Sequence, residues 1–91
     1  MLFVALLKAH PGSVQVRSQR RVEWEPPEGI KVKGEYWLQT ADPAVVAVVE
    51  ANQISELWAL FNPWNDLFDI SIYPAVSADE GVDMLKQAVQ G

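Results

Sequence analysis

Leu2-Phe3-Val4-Ala5-Leu6-Leu7 and Ala44-Val45-Val46-Ala47-Val48-Val49 are unbroken apolar runs, closed by Lys8 and Glu50. Both are far shorter than the roughly 20 apolar residues that cross a bilayer as a helix. Each reads instead as a strand buried on both of its faces. A sheet with two such strands at its centre needs cover on each side, and that need organises the rest of the chain.

Working outward, His10-Pro11-Gly12 signals a turn after the first strand, at about residues 2–8. Ser13 then stands where it would cap a helix running to about Trp24, although Val14 and Val16 also suit a strand. Pro26-Pro27-Glu28-Gly29 ends that segment, because each proline disfavours helical geometry in the residue before it and glycine permits the reversal. Lys31 to Thr40 alternates, with Val32, Gly34, Tyr36 and Leu38 on one face and Lys33, Glu35, Trp37 and Gln39 on the other. Asp42-Pro43 turns it back into the second apolar run, so the two strands form a hairpin.

Asn52 is placed to cap the next helix, Gln53 to Asn62, where Ile54, Leu57, Trp58 and Phe61 recur at the spacing of a buried stripe. Pro63 stops it. Leu67 to Val76 alternates again, Phe68, Ile70 and Ile72 opposite Asp69, Ser71 and Tyr73. Ser77 and Glu80 make a capping box for a terminal helix with Val82, Leu85 and Val89 along one side.

Strand, helix, strand, strand, helix, strand, helix is an α+β ferredoxin-like pattern with an added C-terminal helix, and its antiparallel sheet has the order 4-1-3-2. The first and third strands are then central, and these are the two unbroken apolar runs. With 91 residues the chain forms one domain, residues 1–91. Right-handed crossovers put the first two helices on one side of the sheet. The other side is left bare, which predicts a homodimer with sheets packed face to face. The alternative is that the terminal helix folds across the open face of its own sheet.

Charge excludes some partners. Residues 1–33 carry a balance of +3 and the remainder −8, for a net −5. An acidic chain repels phosphate backbones, so nucleic acid is not an expected partner. Arg17, Arg20 and Arg21 form the one basic group, which reads as a solvated helix face or an anion site. No segment is long and apolar enough for a membrane helix, and the start Met1 to Lys8 does not read as a secretory signal. With no cysteine, the expectation is a cytoplasmic protein.

His10, the single histidine, ends the first strand and could act as a base, or be an ordinary loop residue before Pro-Gly. Glu35, Trp37, Gln39, Asp69, Ser71 and Tyr73 make up the wetter faces of the two edge strands. If that face lines the space between sheets, it offers carboxylates, hydroxyls and a flat aromatic to a small polar or aromatic ligand. Otherwise it is a solvated edge. Of four tryptophans, Trp58 lies on the helical stripe, Trp24 and Trp64 adjoin prolines and pack loops against the sheet, and Trp37 is the candidate ligand contact. No metal site is expected from one histidine and no cysteine. No cofactor is expected either, since no phosphate-cradling or dinucleotide-binding loop is present.

Trp24-Glu-Pro-Pro-Glu-Gly29, Gly34-Glu-Tyr36, Glu50 at the end of the third strand, Pro63-Trp64 and the late Pro74 resemble the small bacterial proteins grouped as domain of unknown function 3303. The resemblance runs from Trp24 to about Ala78. That family is similar in fold to the dimeric α+β barrel proteins, among them muconolactone isomerase-like enzymes, cofactor-free monooxygenases and haem-handling proteins. It implies a dimer and a pocket inside the barrel, but no reaction, because one fold hosts many functions. The activities in that group that use a helix-borne histidine find none in Gln53 to Asn62. The expected function is therefore small-molecule binding between the sheets, with Trp37, Gln39, Tyr73 and Trp64 as ligand contacts. One alternative is a cofactor-independent isomerase or monooxygenase using His10 with Glu35 or Asp69 to handle protons. The other is a structural or regulatory dimer without a pocket.

Overall fold

A computed structural model describes residues 1–90. Strand β1 (Leu2–Ala9) leads into α1 (Val14–Glu23), the hairpin β2 (Lys31–Trp37) and β3 (Val45–Glu50), α2 (Ser55–Phe61), a 3-10 turn at Asn62–Trp64, β4 (Phe68–Ala75) and α3 (Ala78–Gln90). The strands form one antiparallel sheet in the order β2-β3-β1-β4, the ferredoxin-like arrangement read from the sequence. The two apolar runs are its central strands.

Alternation within those runs sorts the side chains. Phe3, Ala5, Leu7 and Ala9 of β1 and Ala47 and Val49 of β3 are buried together with Leu57, Leu60 and Phe61 of α2, and this face carries the core. Leu2, Val4 and Leu6, with Val48 and Val46 opposite the latter two, point to the opposite face and are half-buried, and Glu50 opposite Leu2 is exposed. The terminal helix does not fold over that face. No residue of α3 is buried, and Val82, Met84, Leu85 and Val89 are all exposed. The chain is elongated accordingly, 52 × 29 × 17 Å.

Four local expectations are corrected. Strand β2 ends at Trp37 and its register shifts between Val32 and Gly34, so Lys33 is an extra residue in the ladder. Val32 therefore pairs with Val49 and Glu35 with Ala47, which puts Val32, Glu35 and Trp37 on the helix-covered face and Gly34 and Tyr36 on the open one. The Tyr36 ring lies over Gly34, where a Cβ would come within 2.8 Å of the phenol oxygen.

The second helix starts at Ser55, without an Asn52 side-chain cap; the Asn52 amide instead donates to the Glu56 carboxylate at 3.2 Å. Its buried arc is Leu57, Leu60 and Phe61. Trp58, about 100° round the helix from Leu57, falls outside that arc, and both it and Ile54 are exposed. Ser13 precedes α1, yet its hydroxyl donates to the His10 carbonyl at 2.7 Å rather than capping the helix. Ser77 does act as a cap, accepting from the Glu80 amide at 3.1 Å. Gly29 takes the reversal after Pro26-Pro27 with φ +86°. No helix is long and apolar enough to cross a membrane.

Candidate functional site

Helix α1 presents Val14, Arg17, Ser18 and Arg21 toward the sheet and buries none of its residues. A stripe of arginine where leucine would serve as core cannot close down on apolar strands. The space beneath it is a cleft of about 330 Å³, floored by Val45, Ala47 and Val49 of β3 and walled by Trp24, Trp37, Phe61, Trp64 and Phe68. Ligand sites of soluble proteins start at about this size and share this mixture of apolar walls and few polar groups.

Two arginine forks hold α1 over the cleft. Arg21 donates to both oxygens of Glu35 on β2, at 2.9 and 3.0 Å, and the Trp37 indole N–H donates to the same carboxylate at 2.7 Å. The bond from Arg21 holds the Glu35 carboxyl below the ordinary carboxylate range; burial opposes this and the indole N–H assists it. On the other side, Arg20 donates to both oxygens of Asp66, at 2.7 and 2.9 Å, and to the Pro63 carbonyl at 2.8 Å. Each arginine also lies near an aromatic ring: Arg21 at 5.6 Å from the Trp24 centroid, Arg20 at 5.6 Å from Trp64 and Arg17 at 5.8 Å from Phe68. Trp24 meets Trp64 edge-on, with centroids 5.5 Å apart.

His10 and Asp69 are brought together outside the cleft. Nε2 of His10 is 2.8 Å from the Asp69 carboxylate, and Nδ1 is 3.0 Å from the Asp66 carbonyl. Both ring nitrogens face acceptors, so the doubly protonated ring satisfies both. The bond to Asp69 raises the His10 pKa, and the same bond lowers that of Asp69.

The sheet thus divides the residues that alternation alone had grouped. Glu35, Trp37 and Gln39 border the cleft on the helix side, together with Trp64. Asp69, Ser71 and Tyr73 lie on the open face, opposite Lys8, Leu6 and Val4. The cleft sits between the sheet and helices of one chain, a place distinct from the space between two sheets expected from the sequence. Reading the sequence missed Arg17, Arg21 and Ser18 as lining residues. Their spacing with Val14, at i, i+3, i+4 and i+7, is the signal that assigns them to one helix face. Among the described residues no group of three or more His, Asp or Glu side chains converges as a metal site would require.

Comparison with known families gives a match to Domain of unknown function (DUF3303) over residues 1–89. No curated protein and no solved structure matches the chain.

Proposed function

The chain belongs to the DUF3303 family, whose description carries no activity, and we propose from its own geometry that it binds a small organic molecule in the cleft beneath α1. The observation that carries this reading is a concave, largely apolar space in which three of the four tryptophans, Trp24, Trp37 and Trp64, take part. A domain this small has little core to forgo, and filling the cleft with leucine would stabilise it. Proton-transfer chemistry has less support. His10 and Asp69 stand outside the cleft, and Glu35, the carboxylate bordering it, is held by Arg21 and Trp37.

The binding unit is a homodimer in this reading. One chain carries two apolar surfaces that do not meet each other: the open sheet face, with Leu2, Val4, Leu6, Val46 and Val48, and the exposed Val82, Leu85 and Val89 of α3. A second copy of the chain supplies cover for both. A cytoplasmic location accords with the absence of cysteine.

A thermal-shift screen with small aromatic acids and lactones tests the binding site, run beside Ser18→Trp, which fills the cleft from an exposed position on α1. Compounds that stabilise the parent and leave Ser18→Trp unmoved support it. A screen in which nothing stabilises the parent, or in which both proteins respond alike, overturns it. Light scattering of the parent and of Val48→Glu tests the dimer, with a dimer expected for the first and a monomer for the second.

A further inference from the structure

We infer that the ligand of this cleft is an organic acid with a single carboxylate attached to a flat apolar body, and that Arg17 is the residue that receives the carboxylate. This rests on the binding role proposed for the cleft and names the chemical class that would fill it.

Three arginines lie within five residues of α1, and the structure treats them differently. Arg20 and Arg21 each grip a carboxylate of this chain with two parallel hydrogen bonds. Arg17 borders the cleft, is half-buried, and has no ion pair or side-chain hydrogen bond among the described residues. Its guanidinium rests near the Phe68 ring, a contact that orients the fork without satisfying any of its five N–H donors. A guanidinium on a half-buried side chain, left without an acceptor, is matched by a planar, singly charged, two-oxygen group.

The charge around the cleft argues the same way. Its ionised lining consists of Arg17, Arg21 and Glu35. Since Arg21 and Glu35 neutralise each other, one positive charge remains in a chain of net charge −5. An organic cation meets that charge unfavourably, and a neutral molecule of the same shape leaves Arg17 without a counter-charge. A doubly charged phosphate would call for a second donor group. The other cation lining the cleft, Arg21, is closed off by Glu35, and the Ser18 hydroxyl donates to the Val14 carbonyl at 2.6 Å, so no second positive charge is free there. The walls set the remainder of the ligand. Phe61, Trp24, Trp37 and Trp64 offer ring faces and edges, and about 330 Å³ has room for one or two fused rings.

Naphthalene-2-carboxylate, the neutral naphthalene-2-carboxamide and cationic 2-naphthylmethylamine provide the test, with affinities measured calorimetrically on the full chain. The parent is expected to bind the carboxylate about tenfold or more tighter than the amide, the discrimination expected of hydrogen bonds to a charged group. Arg17→Gln should erase that preference, bringing the affinity for the carboxylate down to that for the amide. Arg17→Lys, which keeps the charge and loses the fork, should retain only part of it. If the amide binds the parent as tightly as the carboxylate and Ser18→Trp abolishes both, the acid preference falls while the binding site stands. If Arg17→Gln keeps the parent's preference, the assignment of Arg17 is wrong. If no compound binds, or Ser18→Trp binds them all as the parent does, the cleft reading falls together with this one.

Discussion

The two helices that cover the same face of the sheet do so in opposite ways. In α2, Leu57, Leu60 and Phe61 are buried against β1 and β3, and Leu57 is wholly inaccessible. In α1 no residue is buried, two of the four residues facing the sheet are arginines, and its ion pairs with the remainder of the chain run from Arg20 to Asp66 and from Arg21 to Glu35. One helix is anchored by removing apolar surface from water. The other is spanned across a gap by directional polar bonds, which keep it at a distance from the sheet and leave the cleft open. A domain of this size that leaves part of its sheet unsealed forgoes stabilisation there.

This contrast predicts a wide separation in mutational cost. Leu57→Ala should destabilise the protein by about 2–5 kcal/mol, the loss usual for a leucine deleted from a sealed core. Val22→Ala on α1, where the side chain is 86% exposed, should change stability by less than about 0.5 kcal/mol. Urea unfolding of the two variants measures both. Comparable losses would mean that α1 is packed as α2 is, and the contrast would fail.

Next in size is the clamp itself. Glu35→Gln leaves the half-buried Arg21 guanidinium without its counter-charge, at a cost of about 1 kcal/mol after allowance for the partial exposure of both groups. The effect depends on pH in a definite sense. Because the folded-state pKa of Glu35 is lowered, its stabilisation is fully present above the ordinary carboxylate pKa and is lost as pH falls through the lowered one. Parent and Glu35→Gln should therefore differ in urea midpoint at pH 7 and converge in acid. A gap that persists unchanged down to the lowest accessible pH would show that the Arg21–Glu35 pair does not tie α1 to the sheet.

A smaller effect separates Arg17 from its neighbours. With no ion pair to lose, Arg17→Gln should alter the stability of the ligand-free protein by only about 0.5 kcal/mol, the scale of an exposed cation–π contact. A loss as large as that from Arg21→Gln would make Arg17 a third clamp rather than an unpartnered cation.

The same contrast explains what could be read before the structure was known. β1 and β3 declared themselves because Leu2 to Leu7 and Ala44 to Val49 are unbroken apolar runs of strand length, the pattern of strands buried on both faces. The sheet order followed from the succession of strands and helices, and the two apolar runs fell on its central positions in agreement with it. Less legible was which edge-strand residues share a face, since strict alternation from Val32 onward takes no account of the extra residue at Lys33, and one unpaired residue moves Glu35 and Trp37 to the helix side. The cleft was hidden for a related reason. Apolar periodicity finds helix faces that seal, whereas α1 faces the sheet with Arg17 and Arg21, whose aliphatic stems and planar heads lie near rings while their charge marks them as surface residues. Trp58 misled in the opposite direction: a large apolar side chain at nearly the right spacing, 67% exposed because the buried arc of α2 is centred elsewhere.

At the far end of the clamped region, His10 offers the smallest and most specific test. It bridges the Asp66 carbonyl and the Asp69 carboxylate, and Asp66 in turn receives the Arg20 fork, so the ring helps fix the loop on which one of the two clamps is anchored. Its pKa is raised, first by the hydrogen bond to Asp69. A raised folded-state pKa contributes stability that is fully present below the ordinary histidine value of 6.5 and disappears as pH rises through the raised one. The Tm of the parent should therefore exceed that of His10→Gln in mildly acidic buffer, and the two should approach each other as pH is brought above neutrality. Salt should shrink the difference, since all these groups meet solvent. A Tm difference independent of pH would assign His10 a packing role at the turn, and the Asp66 anchor would then owe its position to Arg20 alone.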